Sequence, residues 1–221
     1  MDDVMNHTKY ILIDMYGVII EESKGYFIPY TYERFAESEY ERITKAFREE
    51  QIFGKAQAGK LSSHDFLAHL GYDDPECAMK DYLENYLTFD AGFKKFAEKV
   101  VKEYKLALLS NDVSEWSKHL TKLHGIDKYF HDKIVSGDVG VKKPDPAIFA
   151  LAVSRLGCSA EDCVFIDNSV NNLDAAARLG IKTILFNRDG VEYDGVTVNS
   201  FSELEDLFLA FDPPPPLASR L

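Results

Sequence analysis

The sequence predicts an α/β fold: a doubly wound parallel-sheet core of the Rossmann type that carries a mostly helical insertion. Three observations predict it. Short apolar runs alternate with helix-like patterns in the C-terminal part of the chain, polar residues stand where several of those runs end, and the stretch 21–90 has helical spacing without a convincing buried strand. Alternating strands and helices favour a parallel sheet with right-handed crossover connections.

Five apolar runs have the length and composition of buried strands. They are the segments 9–13 (KYILI), 105–109 (KLALL), 133–135, 163–166 (CVFI) and 182–186 (KTILF), and 133–135 is the shortest and weakest. Continuous runs of this kind are typical of strands that helices cover on both faces. We therefore assign all five to the central sheet.

Three helix-like segments between these runs begin at a capping residue and close at a glycine. In the first, Asp112 is predicted to be the N-cap, with Glu115 completing a capping box, and Trp116 is expected to cover the sheet. Glycine after the last turn and proline at the first helical position are common helix boundaries. The segments are 112–124 before Gly125, 145–156 before Gly157, and 169–179 before Gly180.

The stretch 21–90 differs from the rest of the chain because it is rich in Tyr, Phe, Glu and Lys at helical spacing. We interpret it as a mostly helical insertion after the first strand. The predicted domains are therefore a Rossmann-like core of residues 1–20 and 91–221 and a helical insertion of residues 21–90. Four consecutive prolines at 213–216 cannot extend a helix and are expected to form an extended or disordered end.

Composition narrows the possible partners. The chain has 221 residues, a net charge of −12 and no run near the roughly 18 apolar residues of a membrane helix. The acidic balance disfavours nucleic acid but not a small phosphorylated substrate, since one lysine and a metal ion can reverse the field locally. Three cysteines without a CxxC pair indicate reduced thiols and a cytoplasmic protein. A monomer or a homodimer is compatible with these features.

Polar side chains stand at the ends of three predicted strands: Asp14, Ser110 and Asp167. A single polar residue at such a boundary is usually a helix cap or a turn former. Three on separate strands, together with Lys143, favour a site instead, because ligands of open α/β sheets bind outside the carboxyl ends of the strands.

Four motifs make the sequence recognisable. They are DMYGV at 14–18, LLSN at 108–111, GVKKPDP at 140–146, and FIDN at 165–168 followed by Asn172. In type and order these motifs resemble those of the haloacid dehalogenase-like hydrolase superfamily, and the resemblance covers essentially the whole chain. The helical insertion is similar to the small cap that many members of that superfamily carry.

The resemblance implies a role for each motif. Asp14 is expected to be the nucleophile that forms a covalent aspartyl intermediate. Ser110 and the backbone amide of Asn111 are expected to bind the oxygens of an anionic substrate. Lys143, the lysine that directly precedes the proline, would neutralise charge on the nucleophile and on the transferred group.

The same resemblance implies a Mg²⁺ cofactor. Asp14, Asp167 and the main-chain carbonyl of Tyr16 are its expected ligands, and Asn168 would contact the ion or a water bound to it. Magnesium prefers a few protein carboxylates together with waters and substrate phosphate.

Two residues depart from the pattern of the phosphatases in this superfamily. Asn168 replaces the second Asp in the fourth motif of the subgroup that resembles sugar-phosphate phosphatases. Tyr16 stands where the phosphatases normally place a second Asp, two residues after the nucleophile, as a general acid and base. Losing such a group costs roughly 10²–10⁴-fold in rate. Tyr16 also resembles the 2-haloacid dehalogenases, whose leaving halide needs no proton, whereas Asp167 argues against that class because those enzymes work without metal.

Three functions are compatible with the sequence. The first is a Mg²⁺-dependent phosphomonoesterase that acts on a small phosphorylated metabolite, similar to the sugar-phosphate phosphatases that also lack the second Asp. The second is a metal-independent 2-haloacid dehalogenase. The third is a binding or regulatory protein whose catalysis has decayed through Tyr16 and Asn168.

Overall fold

The structure is a computed structural model that describes residues 8–23 and 25–209. The proline run at 213–216 lies outside the described residues. Within them, six strands form one parallel sheet. The strands are β1 (Tyr10–Ile13), β2 (Lys105–Ser110), β3 (Phe130–Val135), β4 (Cys163–Asp167), β5 (Lys182–Phe186) and β6 (Val196–Val198).

The strand order is β3-β2-β1-β4-β5-β6, which confirms the predicted doubly wound α/β class. The chain builds outward from β1 through β2 to β3, then returns to the other side of β1 and continues from β4. This reversal leaves β1 and β4 as neighbours, with Ile13 opposite Ile166. In folds of this kind the crevice at the reversal point, at the carboxyl ends of the strands, is the usual ligand site.

Helices cover both faces of the sheet, and each face has its own apolar cluster. Along β1 the side chains alternate, so that Ile11 and Ile13 join one cluster while Tyr10 and Leu12 join the other. All four are buried because the strand is covered on both sides. The core helices are α6 (Gly92–Val100), α7 (Ser114–Leu123), α8 (Ser136–Val139), α9 (Pro146–Leu156), α10 (Val170–Ala177) and α11 (Phe201–Leu209).

The five predicted strands are present, with two differences. β3 begins at Phe130, three residues before the predicted start, and β6 was not predicted. A three-residue segment with the sequence VTV carries too little pattern to be recognised. Its pairing with β5 along the edge of the sheet makes it a strand.

The stretch 21–90 is helical in its described residues, as predicted. Its helices are α1 (Phe27–Tyr32), α2 (Tyr40–Arg48), α3 (Ile52–Gln57), α4 (Ser63–His69) and α5 (Pro75–Lys80), with a 3₁₀ turn at Glu37–Glu39 and a π-helical turn at Asp81–Tyr86. The points where the chain enters and leaves this helical segment lie side by side. The amide of Glu21 donates to the Thr88 carbonyl at 2.9 Å, and that of Asp90 donates to the Ile19 carbonyl at 3.0 Å.

The predicted N-cap of α7 at Asp112 and its capping box with Glu115 are wrong. Helix α7 begins at Ser114, and no side chain caps it. Asp112 is instead a buried residue between β2 and the helix, and the Glu115 carboxylate accepts from the Ser63 amide of α4. Trp116 does not simply cover the sheet, because its ring packs against aromatic rings of the helical segment: Phe27, Phe53, Phe66 and Tyr82.

The same apolar cluster therefore extends from β1 through α7 into the helical segment. Aromatic side chains bury large areas, and neighbouring rings prefer tilted or edge-to-face contacts such as those around Trp116. Among the described residues, none of the helices is long and apolar enough to cross a membrane.

Candidate active site

The polar residues predicted from the strand ends meet at one edge of the sheet. Asp14 directly follows β1, Ser110 ends β2 and Asp167 ends β4. Since β1 lies between β2 and β4 in parallel register, the three positions converge at the reversal point. Lys143 comes from the loop before α9 and completes the cluster.

The Lys143 ammonium group lies at the centre of this cluster. Its Nζ is 2.8 Å from Oδ1 of Asp14 and 2.7 Å from Oδ2 of Asp167. It also donates to the Leu109 carbonyl at 2.8 Å. An ammonium group has three protons, so these three acceptors satisfy it completely. The side chain is 1% exposed, so its contacts within the cluster determine its position.

Burial and charge set the ionisation of the cluster. Burial raises the pKa of Asp14 to about 6, with the Lys143 charge opposing the shift and the Asp167 charge adding to it. Burial also acts against the charge on Lys143, but the two carboxylates outweigh it and raise the pKa of the amine. Two carboxylates against one ammonium leave an excess negative charge in a buried region, and such charge favours a bound cation.

Asp167 is held by neighbours as well as by Lys143. Its Oδ1 accepts from the Ser169 amide at 2.7 Å, and both its oxygens lie 3.1 Å from Nδ2 of Asn172. Asn172 therefore belongs to the cluster, as its position in the fourth motif predicted. Its own Oδ1 is buried without a hydrogen-bond partner.

Ser110 and Asn111 have different surroundings. The Ser110 hydroxyl is buried and has no hydrogen-bond partner, although most buried polar atoms have one. An unpaired hydroxyl beside the cluster is available to a ligand. The Asn111 side chain is engaged, since its Nδ2 donates to the Lys143 carbonyl at 2.8 Å and its Oδ1 accepts from the Lys143 amide at 2.7 Å. Asn111 thereby fixes the loop that carries Lys143.

Tyr16 is buried, and its hydroxyl donates a hydrogen bond of 3.2 Å to Oδ1 of Asp112. Burial, and next the charge of Asp112, raise the pKa of Tyr16 well above its ordinary value. Burial likewise raises the pKa of Asp112 to about 7, against the effect of hydrogen bonds from Ser117, the Val113 amide and Tyr16.

Sequence reasoning missed Asp112 as a member of this site because its position two residues before a helix resembles that of an ordinary cap. A second polar side chain so soon after the strand-ending Ser110 is the signal that could have found it.

Asn168 lies against the backbone of the first motif. A methyl group at Gly17 would come 2.1 Å from its Nδ2, and Gly17 has a φ of +78°, so this approach requires glycine. Asn168 also lines a polar cleft of about 330 Å³ beside the cluster. The other polar side chains of the cleft belong to Ser23, Ser169, Asn171 and Asp189.

The helical segment reaches the same region through α3. Nε2 of Gln57 lies 3.4 Å from the Asn111 carbonyl, and the Gln57 carbonyl accepts from the Ser136 hydroxyl at 2.6 Å. Close by, a methyl group at Gly59 would lie only 2.3 Å from the Gly137 carbonyl. Gln57 was not predicted as a site residue, because its sequence context is that of an ordinary helix end.

The donor set is compatible with a small hard cation. Two carboxylates, Asp14 and Asp167, lie within 2.8 Å of one ammonium group, so the cluster carries excess negative charge. No group of three or more His, Cys, Asp or Glu side chains in residues 8–23 and 25–209 could enclose a metal by itself. Magnesium needs only one or two carboxylates because waters and substrate supply its other ligands.

The chain is similar to proteins of one known family. A family model described as haloacid dehalogenase-like hydrolase matches residues 8–180, which is most of the chain. The chain is 34% identical over 116 residues to a glyceraldehyde 3-phosphate phosphatase of Methanothermobacter thermautotrophicus, covering 48% of this chain and 50% of that protein. It is 32% identical over 107 residues to (S)-2-haloacid dehalogenase 4A of Burkholderia cepacia, covering 46% of each. These matches span about half the length of either curated relative.

Solved structures share the fold at low sequence identity. A Bacteroides thetaiotaomicron enzyme of this family, in complex with magnesium and inorganic phosphate, has a TM-score of 0.69 at 21% identity over 85% of this chain and 98% of its own. An L-2-haloacid dehalogenase has a TM-score of 0.67 at 17% identity, over 91% and 99%. At these low identities, both similarities show only that the fold is shared.

Proposed function

We propose that this chain, which belongs to the haloacid dehalogenase-like hydrolase family, is a Mg²⁺-dependent phosphomonoesterase acting on a small phosphorylated metabolite. The observation that carries the proposal is the cluster of Asp14 and Asp167 around Lys143, with the unpaired Ser110 hydroxyl beside it. A nucleophile, a cation and an anion-binding hydroxyl at one sheet edge are the parts that phosphoryl transfer requires.

Asp14 is the proposed nucleophile. Its Oδ1 is held by the Met15 amide at 2.8 Å and by Lys143, so Oδ2 is the oxygen that attacks. A bond forms from Oδ2 to phosphorus while the bond from phosphorus to the ester oxygen breaks. The ester oxygen keeps the electron pair and leaves as an anion, which takes a proton from water. Water then attacks the aspartyl phosphate, releases inorganic phosphate and restores the carboxylate.

Ser110 and the backbone amide of Asn111 would bind the phosphoryl oxygens. Lys143 would keep Asp14 ionised and offset charge as it develops on the transferred group. Because Lys143 already donates to three acceptors, its contribution is a fixed positive charge.

Mg²⁺ would be held by Asp14, Asp167 and the main-chain carbonyl of Tyr16, with Asn168 contacting the ion or its water. The bound ion would supply positive charge that neutralises the phosphoryl group and draws the anionic substrate to an acidic protein. Asn172 and the Ser169 amide orient Asp167 for this role through their hydrogen bonds.

The helical segment is the proposed cap over this site, and the division into core (1–20 and 91–221) and cap (21–90) is part of the proposal. The polar cleft lined by Asn168, Asn171 and Asp189 would receive the body of the substrate. Its 330 Å³ lies at the lower end of the range for ligand sites, which suits a small metabolite. A cytoplasmic location and a monomeric or homodimeric state complete the proposal.

A second candidate is a metal-independent 2-haloacid dehalogenase. The observation that favours it is Lys143, which already lies between both carboxylates and relieves part of their repulsion without a metal. Tyr16 favours it too, because a halide leaves without a proton.

The experiment is a turnover assay with phosphomonoesters and with 2-chloropropionate, each with Mg²⁺ and with chelator. We expect phosphate release that needs Mg²⁺ and that Asp14→Asn lowers by roughly 10³-fold or more. The Mg²⁺-induced shift in melting temperature should shrink in Asp167→Asn, which tests the ion site without turnover.

Halide release that persists in chelator would instead establish the dehalogenase. Binding of inorganic phosphate or a phosphate ester without any turnover would favour a catalytically decayed binding protein.

A further inference from the structure

Tyr16 occupies the position of the missing general acid, but its hydroxyl already donates a hydrogen bond within the protein. The side chain is 7% exposed, and its hydroxyl donates to Oδ1 of Asp112 at 3.2 Å in buried surroundings. A phenol has a single proton to donate. While that proton lies in the hydrogen bond to Asp112, Tyr16 has none to offer a departing alkoxide.

Asp112 is rigidly held for this contact. It is 1% exposed, its Oδ1 also accepts from the Val113 amide at 2.8 Å, and its Oδ2 accepts from the Ser117 hydroxyl at 2.6 Å. Its backbone amide donates to the Ser136 hydroxyl at 3.0 Å. Gly137 packs closely against this backbone, since a methyl group there would lie 2.8 Å from the Asp112 carbonyl.

No Lys, Arg or His side chain within residues 8–23 and 25–209 forms an ion pair with Asp112. A buried carboxylate without a cation is costly, so its hydrogen bonds must offset that cost. Of the three donors, Tyr16 is the one from another part of the chain, 96 residues away in sequence.

We propose that Asp112 is a positioning residue that holds the Tyr16 hydroxyl away from the leaving group, and thereby restricts this enzyme to phosphate esters whose leaving group departs without protonation. The proposal rests on the phosphomonoesterase function proposed above. It names the substrate class as aryl, acyl or enol phosphates and disfavours alkyl phosphates.

The chemistry follows from the acidity of the leaving group. A carboxylate with a parent pKa of about 4, or a phenolate near 10, is a stable anion compared with an alkoxide. When phosphorus binds Oδ2 of Asp14, the ester oxygen takes the electron pair of the breaking bond. A site with a free general acid would protonate that oxygen, and a site without one loses roughly 10²–10⁴-fold on poor leaving groups.

The test is the dependence of kcat/KM on leaving-group pKa, measured with substituted phenyl phosphates, acetyl phosphate and glycerol phosphate in the Mg²⁺-loaded full chain. For the native protein we expect a steep fall, with glycerol phosphate roughly 10²–10⁴-fold below 4-nitrophenyl phosphate. Tyr16→Asp, which adds a carboxylic acid at that position, should flatten the slope.

Asp112 itself is tested through the same slope. Asp112→Ala frees the Tyr16 hydroxyl and should make the slope shallower, whereas Asp112→Asn keeps an acceptor oxygen and should keep it steep. Adding Tyr16→Phe to Asp112→Ala removes the freed proton and should restore the steep slope. A residue that merely supports the fold would change rates without changing this slope.

The outcomes separate the two proposals. A flat slope in the native protein, or a slope that Tyr16→Phe alone makes shallower, would overturn this inference while leaving the phosphomonoesterase intact. Absence of turnover with every ester would overturn both. If Asp112→Ala fails to fold, Tyr16→Asp decides the question. A slope that stays steep in Tyr16→Asp would count against the inference, and a flattened slope would support it.

Discussion

The Lys143 ammonium nitrogen lies 2.7 Å from Oδ2 of Asp167, and neither side chain is more than 1% exposed. Breaking this pair affects stability as well as the proposed chemistry, because Lys143 is the ion-pair partner of Asp167 among the described residues. Removing one partner of a buried ion pair typically costs about 3–5 kcal/mol, since the other charge stays buried and unpaired.

We therefore expect Lys143→Met to lower the free energy of unfolding by about 3–5 kcal/mol and to abolish turnover. The neighbouring Lys142 is the matched control, because it is exposed and outside the cluster. Lys142→Met should change stability by less than about 0.5 kcal/mol. Urea unfolding of both variants measures the difference, and equal losses would contradict the central position of Lys143.

Trp116 and Ser63 connect α7 to the helical segment. The indole nitrogen donates to the Ser63 hydroxyl at 2.7 Å, and both residues are buried. Ser63→Ala would leave the indole N–H unpaired and should cost about 1–3 kcal/mol.

In a Trp116→Phe background, which has no N–H, the cost of Ser63→Ala should fall to a few tenths of a kcal/mol. A double-mutant cycle by urea unfolding measures this coupling. Additive effects of Ser63→Ala and Trp116→Phe would show that the hydrogen bond does not stabilise the contact between core and helical segment.

The raised pKa of Asp112 predicts an unusual dependence of stability on pH. Burial raises its pKa in the folded protein to about 7, against about 3.9 in the unfolded chain. Between these values the folded state binds the proton and the unfolded state does not, so this group makes the protein less stable as pH rises from about 4 to about 7.

Asp112→Asn removes the titration, and Asp14 titrates in both proteins. The difference in the free energy of unfolding, variant minus native, should therefore increase by up to about 1.4 kcal/mol per pH unit between about pH 4 and about pH 7. Above about pH 7 this difference should stay constant. Unfolding free energies at pH 4.5, 5.5, 6.5 and 7.5 test this. A constant difference between the two proteins would mean that Asp112 is ionised throughout.

Gly59 is expected to control the contact between α3 and the core. Its φ is +69°, and a methyl group would lie 2.3 Å from the Gly137 carbonyl. Gly125 is a matched control, because its φ is +62° and nothing lies within 4 Å of its added methyl group. Gly125→Ala should cost only about 1–2 kcal/mol of backbone strain.

Gly59→Ala should cost more than that, and it should also lower kcat/KM because Gln57 and Ser136 contact each other beside the site. Unfolding and steady-state kinetics of both variants decide this. A Gly59→Ala protein with the stability and kinetics of Gly125→Ala would rule out a role for the contact.

The sequence by itself determined the fold class and the residues that converge. Runs 163–166 and 182–186 are continuous and apolar, a pattern typical of strands covered on both faces, so they identify strands without knowledge of their partners. Parallel strands end at a common edge, which is why Asp14, Ser110 and Asp167 could be grouped before any distance was known. These conclusions depend on local pattern and on general rules of sheet topology.

Only the tertiary structure decided what the side chains do at that edge. Asp112 has the local pattern of a helix cap, yet it accepts the hydroxyl of a tyrosine 96 residues away. Trp116 turns towards rings of the helical segment, and Lys143 takes acceptors from three different parts of the chain. A hydrogen bond or a ring contact depends on distances of a few ångströms between distant segments, and local sequence pattern carries no information about those distances.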